Sequence, residues 1–235
     1  MANAMCGRAS LSAPPEDLRE LFGLAEIPPL SPRYNIAPTQ PIAIVRESQS
    51  RGRILELVRF GLVPRWAKDL RVGARFINAR AESVATTPAF RESFRFRRCL
   101  VAVDGFFEWA ELTPAAGQKK PAKQPFFIHR KDSKPFALAG VWDRWTSESG
   151  DVLPSASVLT VASEGALHAI HDRMPFVVSP DDYPAWLAGE GACDPTEILA
   201  RVRPVAPHDL VAYVVSTRVN SAANDNADCV APTTC

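Results

Sequence analysis

Short apolar runs separated by polar turns make up most of the chain, a pattern typical of β-strands rather than long helices. The predicted strands occupy residues 42–46, 54–60, 99–110, 125–130, 135–142, 156–161 and 211–217. The run 99–110 is interrupted at Gly105, which predicts a pair of strands bent at that residue. The proline-rich stretch 28–41 is expected to be irregular, and the polar stretch 112–124 predicts a mobile surface loop.

Short helices are predicted between these strands. Ser12 is expected to cap a first helix that holds Pro14 and Pro15 in its first turn and ends at Gly23. Further helices are predicted at 88–95, between Ser163 and His171, and from Pro180 and Asp194-Pro195 onward. Because strands dominate and do not alternate regularly with helices, the fold class is α+β, a mostly antiparallel β-sheet core with short peripheral helices.

The 235 residues suffice for one large domain or two small ones, and 46% hydrophobic with 23% charged residues is typical of a globular protein. The chain has no apolar run long enough to span a bilayer, and its beginning lacks a secretory signal pattern. The five cysteines are odd in number and scattered, which favours reduced thiols over a disulfide framework. We therefore expect a cytoplasmic protein.

The charge distribution is uneven along the chain. Residues 1–100 hold 16 basic and 9 acidic residues, a surplus of +7, whereas residues 101–235 have a deficit of −6. Fifteen of those 16 basic residues are arginine, which suits bidentate phosphate contacts. This asymmetry indicates a polyanionic partner, with internal pairing between the two halves as the alternative.

Cys6 stands near the beginning of the chain, in the sequence Met-Cys-Gly-Arg. As a mature amino terminus it would carry a thiol and an α-amine on adjacent carbons. Such a 1,2-aminothiol captures an aldehyde as an imine, which the thiol closes to a thiazolidine with the advantage of an intramolecular step. The alternative is an incidental cysteine in a frayed terminus.

Glu108 and His171 are candidate proton-transfer groups. Glu108 follows two phenylalanines and precedes Trp109, and burial among aromatic rings would raise its pKa toward neutrality; the alternative is an exposed glutamate at a strand end. His171 stands beside Asp172, and its alternative is the end of a helix. His168 and His171 offer two ligands without a third, so no metal or other cofactor is expected.

Polar residues in the remaining loops suit nucleic-acid binding. Asn78 could orient a nucleophile or hold a turn. Trp66 could be a stacking platform for a base, and Pro38 a wedge, with a place in the core as the alternative for Trp66. Three arginines stand in the polar motifs and suit phosphate clamping: Arg8, Arg80 and Arg173.

Six motifs in this order resemble the SRAP family, the SOS-response-associated peptidases or abasic-site processing proteins. They are residues 5–8 (Met-Cys-Gly-Arg), 33–40 (Arg-Tyr-Asn-Ile-Ala-Pro-Thr-Gln), 76–82 (Phe-Ile-Asn-Ala-Arg-Ala-Glu), 104–109 (Asp-Gly-Phe-Phe-Glu-Trp), 171–175 (His-Asp-Arg-Met-Pro) and 215–220 (Val-Ser-Thr-Arg-Val-Asn). The resemblance extends from Cys6 to about residue 232. It implies a compact, mostly β domain.

The resemblance implies a sensor that binds single-stranded DNA and forms a covalent thiazolidine with an abasic site, after autoproteolytic exposure of its cysteine. Cys6 would be the nucleophile, Asn78 would orient it, Glu108 would shuttle protons, and His171 would open the sugar and stabilise the imine. The residues implied to hold DNA are Arg8, Asn35, Pro38, Trp66, Arg80 and Arg173. The expected protein is a monomer that acts on abasic sites at replication forks or single-strand/duplex junctions, associated with the nucleoid.

The beginning of the chain departs from the family pattern, because Met-Ala-Asn-Ala precedes Met5. We therefore expect residues 1–5 to be removed, residues 6–220 to form a single domain, and residues 221–235 to be a coil-like tail. Two other functions remain open: a thiol peptidase or hydrolase that uses Cys6 and His171, and a non-catalytic single-stranded DNA-binding protein.

Overall fold

A computed structural model describes residues 6–112, 121–188, 195–205 and 207–233. The strands are β1 (Ala9–Leu11), β2 (Arg33–Ile36), β3 (Pro41–Ser48), β4 (Gly52–Phe60), β5 (Asn78–Arg80), β6 (Arg98–Val103), β7 (Gly105–Glu111), β8 (Lys123–Arg130), β9 (Phe136–Thr146), β10 (Val152–Ala162), β11 (Arg173–Pro175), β12 (Val177–Val178) and β13 (Leu210–Val214). The α-helices are α1 (Pro15–Phe22), α2 (Arg91–Phe96), α3 (Tyr183–Leu187) and α4 (Pro195–Arg201).

Two sheets organise the described strands. The first has the order β13-β8-β7-β1-β2 and is antiparallel throughout. The second has the order β11-β10-β4-β3-β6-β9-β12, and an additional β10–β9 pairing closes its five central strands into a small barrel. Parallel pairing occurs where β10 meets β4 and β5. The predicted α+β class with mostly antiparallel sheet is therefore confirmed.

The predicted strand pair at 99–110 is two strands that belong to different sheets. β6 pairs with β3 and β9 in the barrel, whereas β7 pairs with β1 and β8 in the first sheet. The chain passes between the sheets at Gly105. A Cβ atom there would lie 2.1 Å from Cζ of Phe127, so glycine is needed for β7 to pack against β8.

The first helix ends as predicted but begins differently. Gly23 closes α1 in the left-handed conformation, with φ of 64°, which glycine adopts without steric cost. Ser12 does not cap it, because Pro14 holds the cap position and Ser12 Oγ donates to Asp104 Oδ2 at 2.8 Å instead. Ser12 thus joins β1 to the junction between β6 and β7.

The stretch 28–41 was expected to be irregular, yet it contains β2. β2 forms by antiparallel pairing with β1 at the edge of the first sheet. Asp225 adds to this pairing, because its Oδ1 accepts the backbone N–H groups of Tyr34 at 2.6 Å and Asn35 at 2.9 Å. A carboxylate 190 residues downstream thus satisfies donors that a neighbouring strand would otherwise take. Residues 221–233 include a 3₁₀ turn at Ala227–Cys229, and Val215 bridges to Pro232.

Three further predictions need adjustment. The helix expected between Ser163 and His171 is a 3₁₀ turn at Gly165–Ala169, and Ser163 Oγ donates to the carbonyl of His171. The last strand ends at Val214, and Thr217–Asn220 forms a 3₁₀ turn. Of the predicted loop 112–124, residues 113–120 lie outside the described residues and 123–124 belong to β8.

Candidate active site

Cys6 and Glu108 meet across the pairing of β1 with β7. Ala9 lies opposite Phe106, and Phe107 N–H donates to the carbonyl of Arg8 at 3.0 Å. This register brings the beginning of the chain over Glu108. Oε1 of Glu108 accepts the Cys6 N–H at 2.8 Å and the Cys6 thiol at 2.6 Å. A single carboxyl oxygen therefore contacts both potential nucleophiles of one residue.

Burial controls the protonation of this pair. Glu108 is 3% exposed and Cys6 is 5% exposed. Burial raises the pKa of Glu108, although the hydrogen bond from Cys6 and the charge of His171 oppose the rise. Burial and the nearby Glu108 carboxylate raise the pKa of the Cys6 thiol, and the charge of Arg173 opposes that rise. A carboxyl group with a raised pKa suits general acid and base catalysis near neutral pH, as the sequence predicts for Glu108.

The second sheet supplies the other candidate residues from both sides of β10. Thr160 on β10 lies opposite Arg80 on β5 and opposite Pro175 on β11. The motifs at 76–82 and 171–175, which are distant in the sequence, therefore lie on the two strands that flank β10. Asn78 lies opposite Val158 in the same parallel pairing and is partly buried.

His171 lies just before β11, close enough for its charge to act on Glu108. Its Nδ1 is 3.1 Å from the backbone N–H of Arg173, which donates to it, and 2.9 Å from Asp172 Oδ1. When the backbone N–H is the partner, Nδ1 is the acceptor and the ring proton is on Nε2. The structure thus brings Cys6, Glu108, His171 and Arg173 into one electrostatic environment.

Arg173 is not free, because it forms a bidentate ion pair with Glu82. Nη1 lies 2.9 Å from Oε1 and Nη2 lies 2.9 Å from Oε2. Nη2 also donates to the carbonyl of Thr160 at 2.6 Å. Sequence reasoning gave Glu82 no role, and a contact across 91 residues leaves no local signal that could have shown it.

Arg8 and Asn35 bind the C-terminal part of the chain. Arg8 donates to Asn35 Oδ1 at 2.7 Å and to the carbonyls of Val219 and Asn220. Asn35 is 0% exposed, and its Nδ2 donates to three carbonyl groups: Val219 at 3.1 Å, Ser221 at 3.0 Å and Asn224 at 2.7 Å. A direct contact of Asn35 with DNA would require this segment to move.

The remaining predicted DNA-binding residues reach the surface. Trp66 is 60% exposed in the loop after β4, and Arg80 is exposed at the end of β5. Pro38 is partly exposed in the turn before β3. These three side chains are accessible to a ligand at the surface. The alternative interpretation of Trp66, a residue of the hydrophobic core, is wrong.

Within the described ranges, no group of three or more His, Cys, Asp and Glu side chains is arranged to hold a metal ion. His168 Nδ1 lies 3.3 Å from Ser163 Oγ rather than beside a metal-binding partner. No helix in the described part of the chain is both long and apolar enough to cross a membrane.

Comparisons with known proteins identify the family of the chain. The family model described as SOS response associated peptidase (SRAP) matches residues 5–222. The chain is 34% identical over 229 residues to the abasic site processing protein YoqW of Bacillus subtilis (strain 168), covering 96% of this chain and 99% of that protein. It is 30% identical over 234 residues to the abasic site processing protein YedK of Escherichia coli (strain K12), covering 97% and 100%.

A crystal structure of a protein from Bacteroides thetaiotaomicron has the same fold, with a TM-score of 0.82 and 23% identity, covering 97% of this chain and 100% of that one. The family model spans nearly the whole chain, and the six sequence motifs lie within or just beside the matched range. The chain therefore belongs to the SRAP family of SOS response associated peptidases.

Proposed function

We propose that the protein captures abasic sites in single-stranded DNA as a covalent thiazolidine formed by the amine and thiol of Cys6. The observation that carries the proposal is the position of Glu108 Oε1, 2.8 Å from Cys6 N and 2.6 Å from Cys6 Sγ. One proton-transfer group can thus serve both bond-forming steps. The relatives named abasic site processing proteins support DNA with abasic sites as the target.

The reaction begins at the ring-opened sugar, whose C1′ is an aldehyde. The free amine of Cys6 attacks this carbon and gives a carbinolamine, which loses water to become an imine. The thiol then adds to the imine carbon, its proton passes to the nitrogen, and a five-membered ring closes. The balance is aldehyde plus aminothiol to thiazolidine plus water, with no oxidant, metal or cofactor required.

The proposed roles of the neighbouring residues are those that the family motifs imply for them. Glu108 donates a proton as water leaves and accepts the thiol proton during ring closure. His171 helps open the sugar and stabilises the imine, and Asn78 orients the nucleophile. Arg80 and Arg8 bind phosphates, Trp66 and Pro38 contact bases, and Asn35 acts through Arg8. Arg173, for which the resemblance implies DNA binding, is paired with Glu82 and is assigned mainly to the reaction centre.

Exposure of Cys6 requires that residues 1–5 be absent. In the proposed route, the Cys6 thiol attacks the carbonyl carbon of Met5 and Glu108 protonates the departing nitrogen, which leaves an amine and a thioester. Water hydrolyses the thioester, releases the pentapeptide and restores the thiol. The φ of +43° at Cys6 supports this route, because a left-handed conformation strains a non-glycine residue. Initiation at Met5, followed by removal of that methionine alone, would give the same product.

The remaining features belong to the same proposal. Residues 6–220 act as one domain followed by the segment 221–235, and the protein works as a cytoplasmic, nucleoid-associated monomer. Its preferred DNA is an abasic site at a replication fork or a single-strand/duplex junction, where the lesion sugar is unstacked. The exposed Trp66 and Arg80 support a path for such a strand.

A denaturing gel of the protein with an abasic single-stranded oligonucleotide tests the proposal. The wild-type protein should give an adduct that survives without borohydride. Both variants must be produced with a free amine at position 6, by starting the chain at Met5 and removing that methionine. Cys6→Ala in this form should give only an imine trapped by reduction, and Cys6→Ser a less stable adduct. A wild-type adduct seen only after reduction would refute the thiazolidine. If no adduct forms under any condition, the non-catalytic single-stranded DNA-binding protein is favoured. If hydrolase activity persists after the amine has been blocked, the plain thiol hydrolase is favoured.

A further inference from the structure

Glu82 is the feature near the site that the proposed reaction does not use. Its side chain is 55% exposed, whereas that of its partner Arg173 is only 12% exposed. Both carboxylate oxygens contact the guanidinium at 2.9 Å, in the fork geometry of a strong arginine–carboxylate pair. The pair therefore joins a solvent-facing carboxylate to a mostly buried arginine.

Thr160 completes the binding of this guanidinium from the other side. Its carbonyl accepts from Nη2 at 2.6 Å, and its hydroxyl lies 3.3 Å from Nε. Because Glu82 takes one edge of the planar group and Thr160 takes the other, rotation of the group would break contacts on both sides. Arg173 is consequently held in one orientation.

Arg173 is linked to the site in two ways, and the first of them depends on the orientation of its guanidinium. Its positive charge favours the thiolate form of Cys6, against the burial and the Glu108 carboxylate that oppose ionisation. Its backbone N–H donates to Nδ1 of His171. The charged groups that bear on this cluster are Glu108 and His171 at the thiol and Arg80 beside Glu82.

We propose that Glu82 is a positioning residue of the reaction, which holds the guanidinium of Arg173, on the strand β11 that begins just after His171, in one orientation against Thr160. This inference deepens the proposed function and rests on it. Glu82 itself contacts neither Cys6 nor Glu108 in the described hydrogen bonds, so it acts through Arg173. If Glu82 only contributed negative charge, its loss would make the Cys6 thiol easier to ionise. If Glu82 holds Arg173 in place, its loss would make the thiol harder to ionise, and this difference in sign makes the proposal testable.

The test measures two rates across pH for purified full-chain protein: alkylation of Cys6 by iodoacetamide, read by peptide mass spectrometry, and adduct formation with abasic single-stranded DNA. Glu82→Ala releases Arg173, so the alkylation profile should move to higher pH. Adduct formation should slow by up to about 10²-fold, the loss that a misplacement of about 1 Å can cause. Glu82→Gln retains an acceptor for the guanidinium and should remain close to wild type in both rates.

Two comparisons separate positioning from other roles. In an Arg173→Ala background, Glu82→Ala should cause no further change, because a residue that acts through Arg173 has nothing left to position. Asp132→Asn is the matched control: it removes the carboxylate of an exposed pair with Arg130, whose bonds are 2.9 Å and 2.6 Å. It should leave both profiles unchanged.

Several outcomes would overturn the proposal. A shift of the alkylation profile to lower pH in Glu82→Ala would identify charge screening, and an unchanged profile with a lower melting temperature would identify a structural role. An additive effect in the Arg173→Ala background would also contradict it. Failure of the wild-type protein to form any adduct would refute the proposed function instead, and the alkylation profiles would still decide the role of Glu82 toward the thiol.

Discussion

The Cys6 thiol donates to Oε1 of Glu108 at 2.6 Å, and the backbone nitrogen of Cys6 reaches the same oxygen at 2.8 Å. Thiazolidine formation needs a proton to move at the nitrogen and then at the sulfur. A carboxyl oxygen within reach of both atoms can serve each step without a change of partner. The buried position keeps that exchange apart from bulk water.

Replacing Glu108 by glutamine retains the shape of the side chain but removes its ability to exchange a proton. We expect adduct formation to slow by about 10² to 10⁴-fold, the usual range for loss of a general acid or base. Affinity for intact single strands should not change. Single-turnover gels and a binding titration measure the two quantities, with Glu20→Gln on the exposed face of α1 as the control. An unchanged adduct rate would remove Glu108 from the mechanism.

Glu108→Gln should also change how stability depends on pH. Burial raises the pKa of Glu108 above its ordinary value of 4.5, so the folded protein binds this proton more tightly than the unfolded chain does. The stability of the wild-type protein should therefore fall as pH rises from 4.5 toward the raised pKa, and glutamine should remove that contribution. The melting temperature of the variant, relative to that of the wild-type protein, should therefore increase as pH rises across this range. A constant difference between the two proteins would contradict this expectation.

The amino terminus of active protein should be Cys6. Intact-mass measurement should find no residue ahead of it, because any preceding residue converts the amine into an amide that cannot attack an aldehyde. If the thiol itself releases the leader, Cys6→Ala should retain residues 1–5. Loss of the leader in Cys6→Ala would instead indicate initiation at Met5 or another protease. A fully active sample that retains Ala2–Met5 would refute the aminothiol mechanism.

Arg80 and Arg173 should differ in their effect on DNA binding. Arg80 is exposed, so Arg80→Ala should weaken binding to single strands of any sequence and reduce the slope of log affinity against log salt by about 0.7 for one lost phosphate contact. Arg173 is mostly buried against Glu82, so Arg173→Ala should affect the adduct rate more than the affinity. Titrations at several salt concentrations measure both, with exposed Arg19→Ala as the control. An unchanged slope for Arg80→Ala would assign that arginine a structural role.

Local patterns in the sequence predicted the longer strands, the end of α1 and the raised pKa of Glu108, because each depends on a few adjacent residues. They did not predict the short strands β1, β2, β5, β11 and β12. They could not show that β6 and β7 belong to different sheets, since the pairing partners lie far away in the sequence. The strand β2 pairs with β1 and is bonded by Asp225, and the orientation of Arg173 depends on Glu82. Such long-range contacts have no local periodicity, so these parts of the fold and the site required the structure.

The bonds from Arg8 and Asn35 to residues 219–224 have a consequence for biosynthesis. A ribosome makes Cys6 among the first residues and makes the partners of Arg8 and Asn35 among the last. The segment that carries the nucleophile therefore acquires its contacts with residues 219–224 only after nearly all of the chain has been translated, although its contacts with β7 involve residues made earlier. Products of premature termination would contain the cysteine without these surroundings, so we expect the assembled aminothiol site to be a property of completed chains alone.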